Sequence, residues 1–204
     1  MSRLLHAVFE NDVSKIGTLL ERDPRLIGDQ DAFCQAIGWG HKDAAMFLMD
    51  RGADLDAKDR NGNTPLQMAS MAEDSALFHE LVRRGSKLQD LSSVASNAAM
   101  SGHLDILRFL QDAGVNLNEG ESKKRPLEAA IGTGDIATVR YLLNLGVDTS
   151  DIDTSRPIQP WKGCMATSAT MEEIRHLIEN SKTAKTVGQP ATGPSRDAPR
   201  EYKP

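Results

Sequence analysis

Residues 59–69 read Asp-Arg-Asn-Gly-Asn-Thr-Pro-Leu-Gln-Met-Ala (DRNGNTPLQMA). Thr64 suits a helix N-cap, because its hydroxyl can accept one of the backbone N–H groups that the start of a helix leaves without a partner. Pro65 follows at the first helical position, where a missing N–H costs nothing. The segment before it, Asp56 to Asn63, is long enough to project as a turn. The stretch therefore predicts a short helix that starts at Pro65.

Working outward from Ala69, an alanine recurs at Ala7, Ala36, Ala98 and Ala130, with successive spacings of 29, 33, 29 and 32 residues. Three positions before these alanines stand Leu4, Phe33, Leu66, Ala95 and Leu127; nine after stand Ile16, Ala45, Phe78, Leu107 and Val139. Twelve after, leucine is present every time (Leu19, Leu48, Leu81, Leu110, Leu142), and sixteen after come Asp23, Gly52, Gly85, Gly114 and Gly146. A register kept at this many positions marks an internal repeat. Each unit reads as two short helices. Five positions before the alanine, Ser2, Asp31, Thr64 and Ser93 are N-cap types, whereas Arg125 is not. The second helix carries a buried stripe, for example Leu104, Leu107, Phe109 and Leu110. The small alanine falls where adjacent units meet, and a larger side chain there would push them apart.

These residues resemble the ankyrin-repeat family, whose units read D-x-x-G-x-T-P-L-H-x-A, a Gly-His turn, a helix, then L-x-x-x-G-A-D. Asp59 to Ala69 departs from it once, at Gln67; Gly40-His41 and Gly102-His103 carry the turn, and Arg51 to Leu55 (RGADL) carries a unit end. The resemblance implies an all-α solenoid of helix-turn-helix units with short β-turn fingers. It sets units at 1–28, 29–58, 59–90, 91–120 and 121–153, then a degenerate cap at 154–180, together forming one domain over 1–180. In the cap, Met171 to Glu179 reads as a second helix. Pro157, Pro160 and Gly163 make 156–167 a poor first helix, as expected of a terminal repeat. The family's histidine is replaced in every unit, by Leu5, Cys34, Gln67, Ser96 and Glu128, so its network between units is missing or replaced. The 29-residue units have no room for a full finger.

Residues 181–204 hold four of the nine prolines, and Val187 and Tyr202 are their only large apolar groups. That composition predicts a disordered basic tail. The whole chain, 204 residues with a formal net charge of −5, has neither the basic excess of a nucleic-acid binder nor an apolar run long enough to span a bilayer. Two cysteines, Cys34 and Cys164, cannot build a disulfide framework, and both are expected as free thiols in a reducing, cytoplasmic setting.

No zinc pairing, nucleophile elbow, phosphate loop or dinucleotide fingerprint is present, so neither catalytic residue, metal nor cofactor is expected. Cys34 reads as a small buried hydrophobe. What remains is a surface. Two or three positions after the alanines stand Phe9, Trp39, Met71 and Met100, which the resemblance turns toward a concave face; the competing expectation is that some pack between units. Arg60, Asn61 and Asn63 on one finger, with Glu121, Lys123 and Lys124 on another, complete the candidate partner-binding set. Asp29, Asp31, Asp54, Asp56 and Asp59, with Asp148, Asp151 and Asp153, would steer a basic partner or simply be solvated. The function expected is a non-enzymatic, monomeric module that binds another protein, in its sharpest form an inhibitor or immunity-type protein for a basic effector. The alternative is an accessory or scaffold subunit that docks through its tail.

Overall fold

In the computed structural model, which describes residues 2–118, 125–155 and 157–186, the regular elements are eleven α-helices and one 3₁₀ turn, with no strand among the described residues. The chain divides into two compact units, residues 1–90 and 91–204. No helix among the described residues is long and apolar enough to cross a membrane.

The first unit contains α1 (Arg3–Phe9), α2 (Val13–Arg22), a 3₁₀ turn (Pro24–Gly28), α3 (Gln30–Gly38), α4 (Lys42–Asp50), α5 (Pro65–Met71) and α6 (Ala76–Arg83). Helices α1, α3 and α5 pack in sequence, and each also packs against the helix that follows it. Ala7, Ala36 and Ala69 are fully buried, as are Ile16, Ala45 and Phe78 on the second helices. Leu48 and Leu81 are buried too, whereas Leu19 is only half-buried, since α1 and α2 have a packed neighbour on one side only among the described residues.

Where the helices begin differs from the sequence reading at two of the expected caps. Thr64 does cap α5: its hydroxyl accepts the Gln67 N–H at 3.2 Å, and the Gln67 side chain accepts the Thr64 N–H at 2.8 Å. Ser2 likewise caps α1. Asp31, however, lies inside α3, and Asp29 is the cap, accepting the Ala32 N–H at 3.1 Å. Ser93 lies inside α7 (Leu91–Ser101). Proline fixes two of the starts. Pro65 and Pro126 fix the first helical residue and hold the one before it extended, so α5 and α9 (Pro126–Thr133) cannot start earlier. Neither α3 nor α7 has a proline at its start, and both begin before the expected cap residue.

The second unit continues with α8 (Leu104–Asp112), α10 (Ile136–Asn144) and α11 (Ser168–Thr186). Helix α9 packs on α7 and α10, and α11 closes against α10. Met171, Ile174 and Ile178 give α11 its buried stripe at helical spacing, with Arg140 paired to Glu173 at 2.6 Å across the contact. Helix α11 continues to Thr186, so the tail expected from 181 begins with helical residues; 187–204 lie outside the described residues.

Residues 157–167 form no helix and run as a strap over the C-terminal end of α9. The Trp161 backbone N–H donates to the Gly132 carbonyl at 2.8 Å, and the Cys164 thiol donates to the Thr133 carbonyl at 2.8 Å. Glycine is required at both contact points. A Cβ on Gly132 would lie 2.2 Å from the Trp161 ring, and one on Gly134, at φ +76°, would lie 2.4 Å from the Ala166 methyl.

Gly134 and Gly114 share a left-handed backbone, but nothing lies within 4 Å of a Cβ at Gly114. Gly114→Ala should therefore cost only the backbone term, about 1 kcal/mol, and Gly134→Ala about 1–3 kcal/mol more as the strap is displaced. Urea unfolding followed by circular dichroism measures both.

Candidate functional site

Phe9 and Met71 are the last residues of α1 and α5, and Trp39 is the C-cap of α3. The three stand at matching places on three helices packed in sequence, and they are 59%, 41% and 36% exposed. The Phe9 and Trp39 rings meet edge to face, centroids 5.3 Å apart, and Trp39 meets the His41 ring at 5.8 Å. Such edge contacts orient the rings while leaving their outer faces open. In the second unit Met100, one residue from the end of α7, is 37% exposed. None of the four has folded back into the core.

The finger before α5 is built by one carboxylate. Asp59 is buried, and its Oδ1 accepts the Asn61 N–H at 2.9 Å and the Asn63 N–H at 2.8 Å; its own N–H donates to the Asn63 carbonyl at 2.9 Å. This is an Asx turn closed by a backbone bond. Arg60 and Asn61 project from it into solvent, and Asn63 is half-buried. Arg60 is held at its base: Asp31 accepts its backbone N–H at 2.8 Å and pairs with its guanidinium at 3.3 Å. The remaining expected contact residues, Glu121, Lys123 and Lys124, lie outside the described residues.

The acids expected to form an exposed steering edge are largely engaged in holding loops. Asp29 caps α3 and accepts the Ser2 hydroxyl. Asp54 accepts the Asp56 N–H at 2.9 Å, and Asp56 in turn accepts the Lys87 N–H at 2.7 Å and the Ser86 hydroxyl at 3.2 Å. Asp148 and Asp153 close local turns by accepting the N–H groups of Ser150 and Ser155, while Asp151 pairs with Arg125 at 3.4 Å. Their charge persists, but their positions are set by the loops they hold.

The replaced histidine positions have found separate local uses. Gln67 completes the α5 cap, and the Ser96 hydroxyl donates to the Ser92 carbonyl at 3.0 Å. Cys34 reaches the next finger, its thiol 3.8 Å from the Asn63 carbonyl. Burial, reinforced by the negative charge of Asp59, pushes the Cys34 thiol up to about 12. Glu128 pairs with Arg125 through Oε1.

The sequence reading passed over Trp161, whose indole is seated beside Gly132 and 44% exposed. A signal was present in the register: Gly132 and Gly38 both leave this place without a side chain, but Trp39 follows Gly38 whereas Thr133 follows Gly132, so no large apolar group of this repeat stands there.

Comparison with known families and structures agrees with this architecture. A family described as "Ankyrin repeats (many copies)" matches residues 32–82, and one described as "Ankyrin repeats (3 copies)" matches 73–153. The ankyrin repeat protein FPV223 of fowlpox virus is 34% identical over 116 residues, 53% of this chain and 79% of its own length. The ankyrin repeat domain-containing protein SAT10 of Stachybotrys chartarum is 30% identical over 147 residues; these are 70% of this chain but only 8% of SAT10, so the chain spans a small part of that relative. The human ASB11 ankyrin repeat domain superposes with a TM-score of 0.65 at 22% identity, covering 89% of this chain and 84% of that structure.

Cys34, buried and held as a neutral thiol, should remain unmodified by iodoacetamide at pH 8 in the folded protein and react once the chain is unfolded in urea. Peptide mass spectrometry of the two samples reads this out.

Proposed function

The chain belongs to the ankyrin-repeat family, typically a family of non-enzymatic protein-interaction modules, and from that membership we propose that it binds a partner protein through the exposed ends of α1, α3 and α5. The observation that carries this reading is the run of Phe9, Trp39 and Met71, three large apolar groups left in water at equivalent places on successive helices. Trp supplies a large rigid contact at low entropic cost, and Met adapts to the shape it meets. The helices that carry these groups are already packed, so docking orders little beyond the side chains themselves. Arg60 and Asn61, displayed by the Asp59 turn, border the same unit and add directional hydrogen bonding.

The finer form of the proposal is that the partner is a basic effector which this chain masks. The formal charge of −5 supports it, since fixed aspartates keep their field even when hydrogen-bonded within the chain. The alternative is an accessory subunit docked through residues 181–204. Deleting that segment distinguishes the two: a masking protein keeps its partner and a tail-docked subunit loses it.

Affinity capture from the native host, run in parallel on the wild type and on Phe9→Ala/Trp39→Ala/Met71→Ala, tests the main proposal. With unchanged circular dichroism, the variant should retain less than about a tenth of the captured partner, as expected when hot-spot residues are removed. Equal capture by the two proteins would move the contact elsewhere.

A further inference from the structure

Between α9, the loop after α10 and the strap lies a cavity of about 410 Å³, open to solvent and confined to the second unit. Ile131 and Ile152 give it apolar walls, the half-exposed Trp161 contributes an indole, and Glu128 and Asp151 bring carboxylates to it. Two cations stand at this cavity among the described residues: Arg125, and Lys182, whose ammonium donates to the Ile152 carbonyl at 2.5 Å. Arg125 pairs with Glu128 and lies 3.4 Å from Asp151, so one guanidinium serves two carboxylates, with Asp148 also within its field. Glu128 Oε1 takes the Arg125 bond, while Oε2 is buried with no hydrogen-bond partner, the only such side-chain oxygen or nitrogen among the described residues. The wall therefore sets two carboxylates, one of them with an oxygen that no hydrogen bond satisfies, beside an aromatic ring.

We propose that this cavity receives an arginine side chain presented by a protein partner. A guanidinium suits each wall. Its face stacks on an indole, its methylene stem lies against isoleucine, and its weak hydration makes transfer into a half-apolar cleft less costly than for the compact, strongly hydrated ammonium of lysine. An anion would meet two carboxylates, and a neutral apolar group would make no use of them. The volume accommodates one long side chain with water around it. The site shares no residue with the Phe9–Trp39–Met71 surface, and its test involves none of them.

The test is an NMR titration of the full-length, ¹⁵N-labelled chain with N-acetyl-L-arginine amide, read at the two tryptophan indole N–H signals and assigned with Trp161→Phe. N-acetyl-L-citrulline amide serves as the uncharged isostere, and N-acetyl-L-lysine amide as the competing cation. The expected result is a saturable shift of Trp161 but not Trp39, with millimolar affinity for the arginine probe, weaker binding of the lysine probe and no saturation with citrulline. Asp151→Asn, at a side chain 68% exposed, should weaken arginine binding about threefold without moving the remaining spectrum. A Trp161 signal unmoved at tens of millimolar, an equal response to citrulline, tighter lysine binding, or unchanged affinity in Asp151→Asn would each overturn the assignment.

Discussion

Close approach of helix to helix across a methyl group is the constraint on which the rest of the structure depends. Ala7, Ala36 and Ala69 in the first unit, and Ala98 and Ala130 in the second, have no exposed surface. At that spacing a larger side chain has no room, and interiors packed to crystal density do not absorb added methylenes without strain. The apolar positions counted from these alanines then face inward together: Leu4, Phe33 and Leu66 before them, and Ile16, Ala45 and Phe78 after them. Short helices of seven to eleven residues, marginal alone, persist because their inner faces are buried in this way.

The same constraint leaves certain groups outside. Phe9, Trp39 and Met71 sit at the C-terminal ends of their helices, past the last buried turn. Fully burying a large apolar side chain is worth about 1.5–3 kcal/mol, and the Phe9–Trp39 edge contact recovers only about 0.5–1.5 kcal/mol of it. Folding alone gives no reason for such groups there, and the proposed association would supply one. Polar groups are distributed the opposite way. Asp59 is buried to shape a finger, Asp31 anchors Arg60, and Asp56 ties down Lys87. Much of the chain's acidity is therefore loop architecture.

How much of this is legible in the sequence depends on the range of each interaction. The alanine register, the Thr64–Pro65 start and the apolar stripe of α11 are local patterns, and the structure follows them. The starts of α3 and α7 depart from the register: Asp29 supplies the α3 cap, and Asp31 and Ser93 lie inside their helices. The strap was legible only as the absence of a helix, through Pro157, Pro160 and Gly163. Its docking depends on Trp161 meeting Gly132, a contact 29 residues apart that no local pattern encodes. The cavity beside it is harder still, since Glu128 and Asp151 come together only once α9 and the loop after α10 are folded around Arg125.

The alanine constraint itself can be measured most directly with Ala36→Leu, at the centre of the first unit with a packed helix on either side. Equilibrium urea unfolding followed by circular dichroism should show a loss of about 1–3 kcal/mol, the cost of overpacking a filled site. Stability equal to or above that of the wild type would show that the helices can move apart freely, and that close approach at alanine does not hold the structure together.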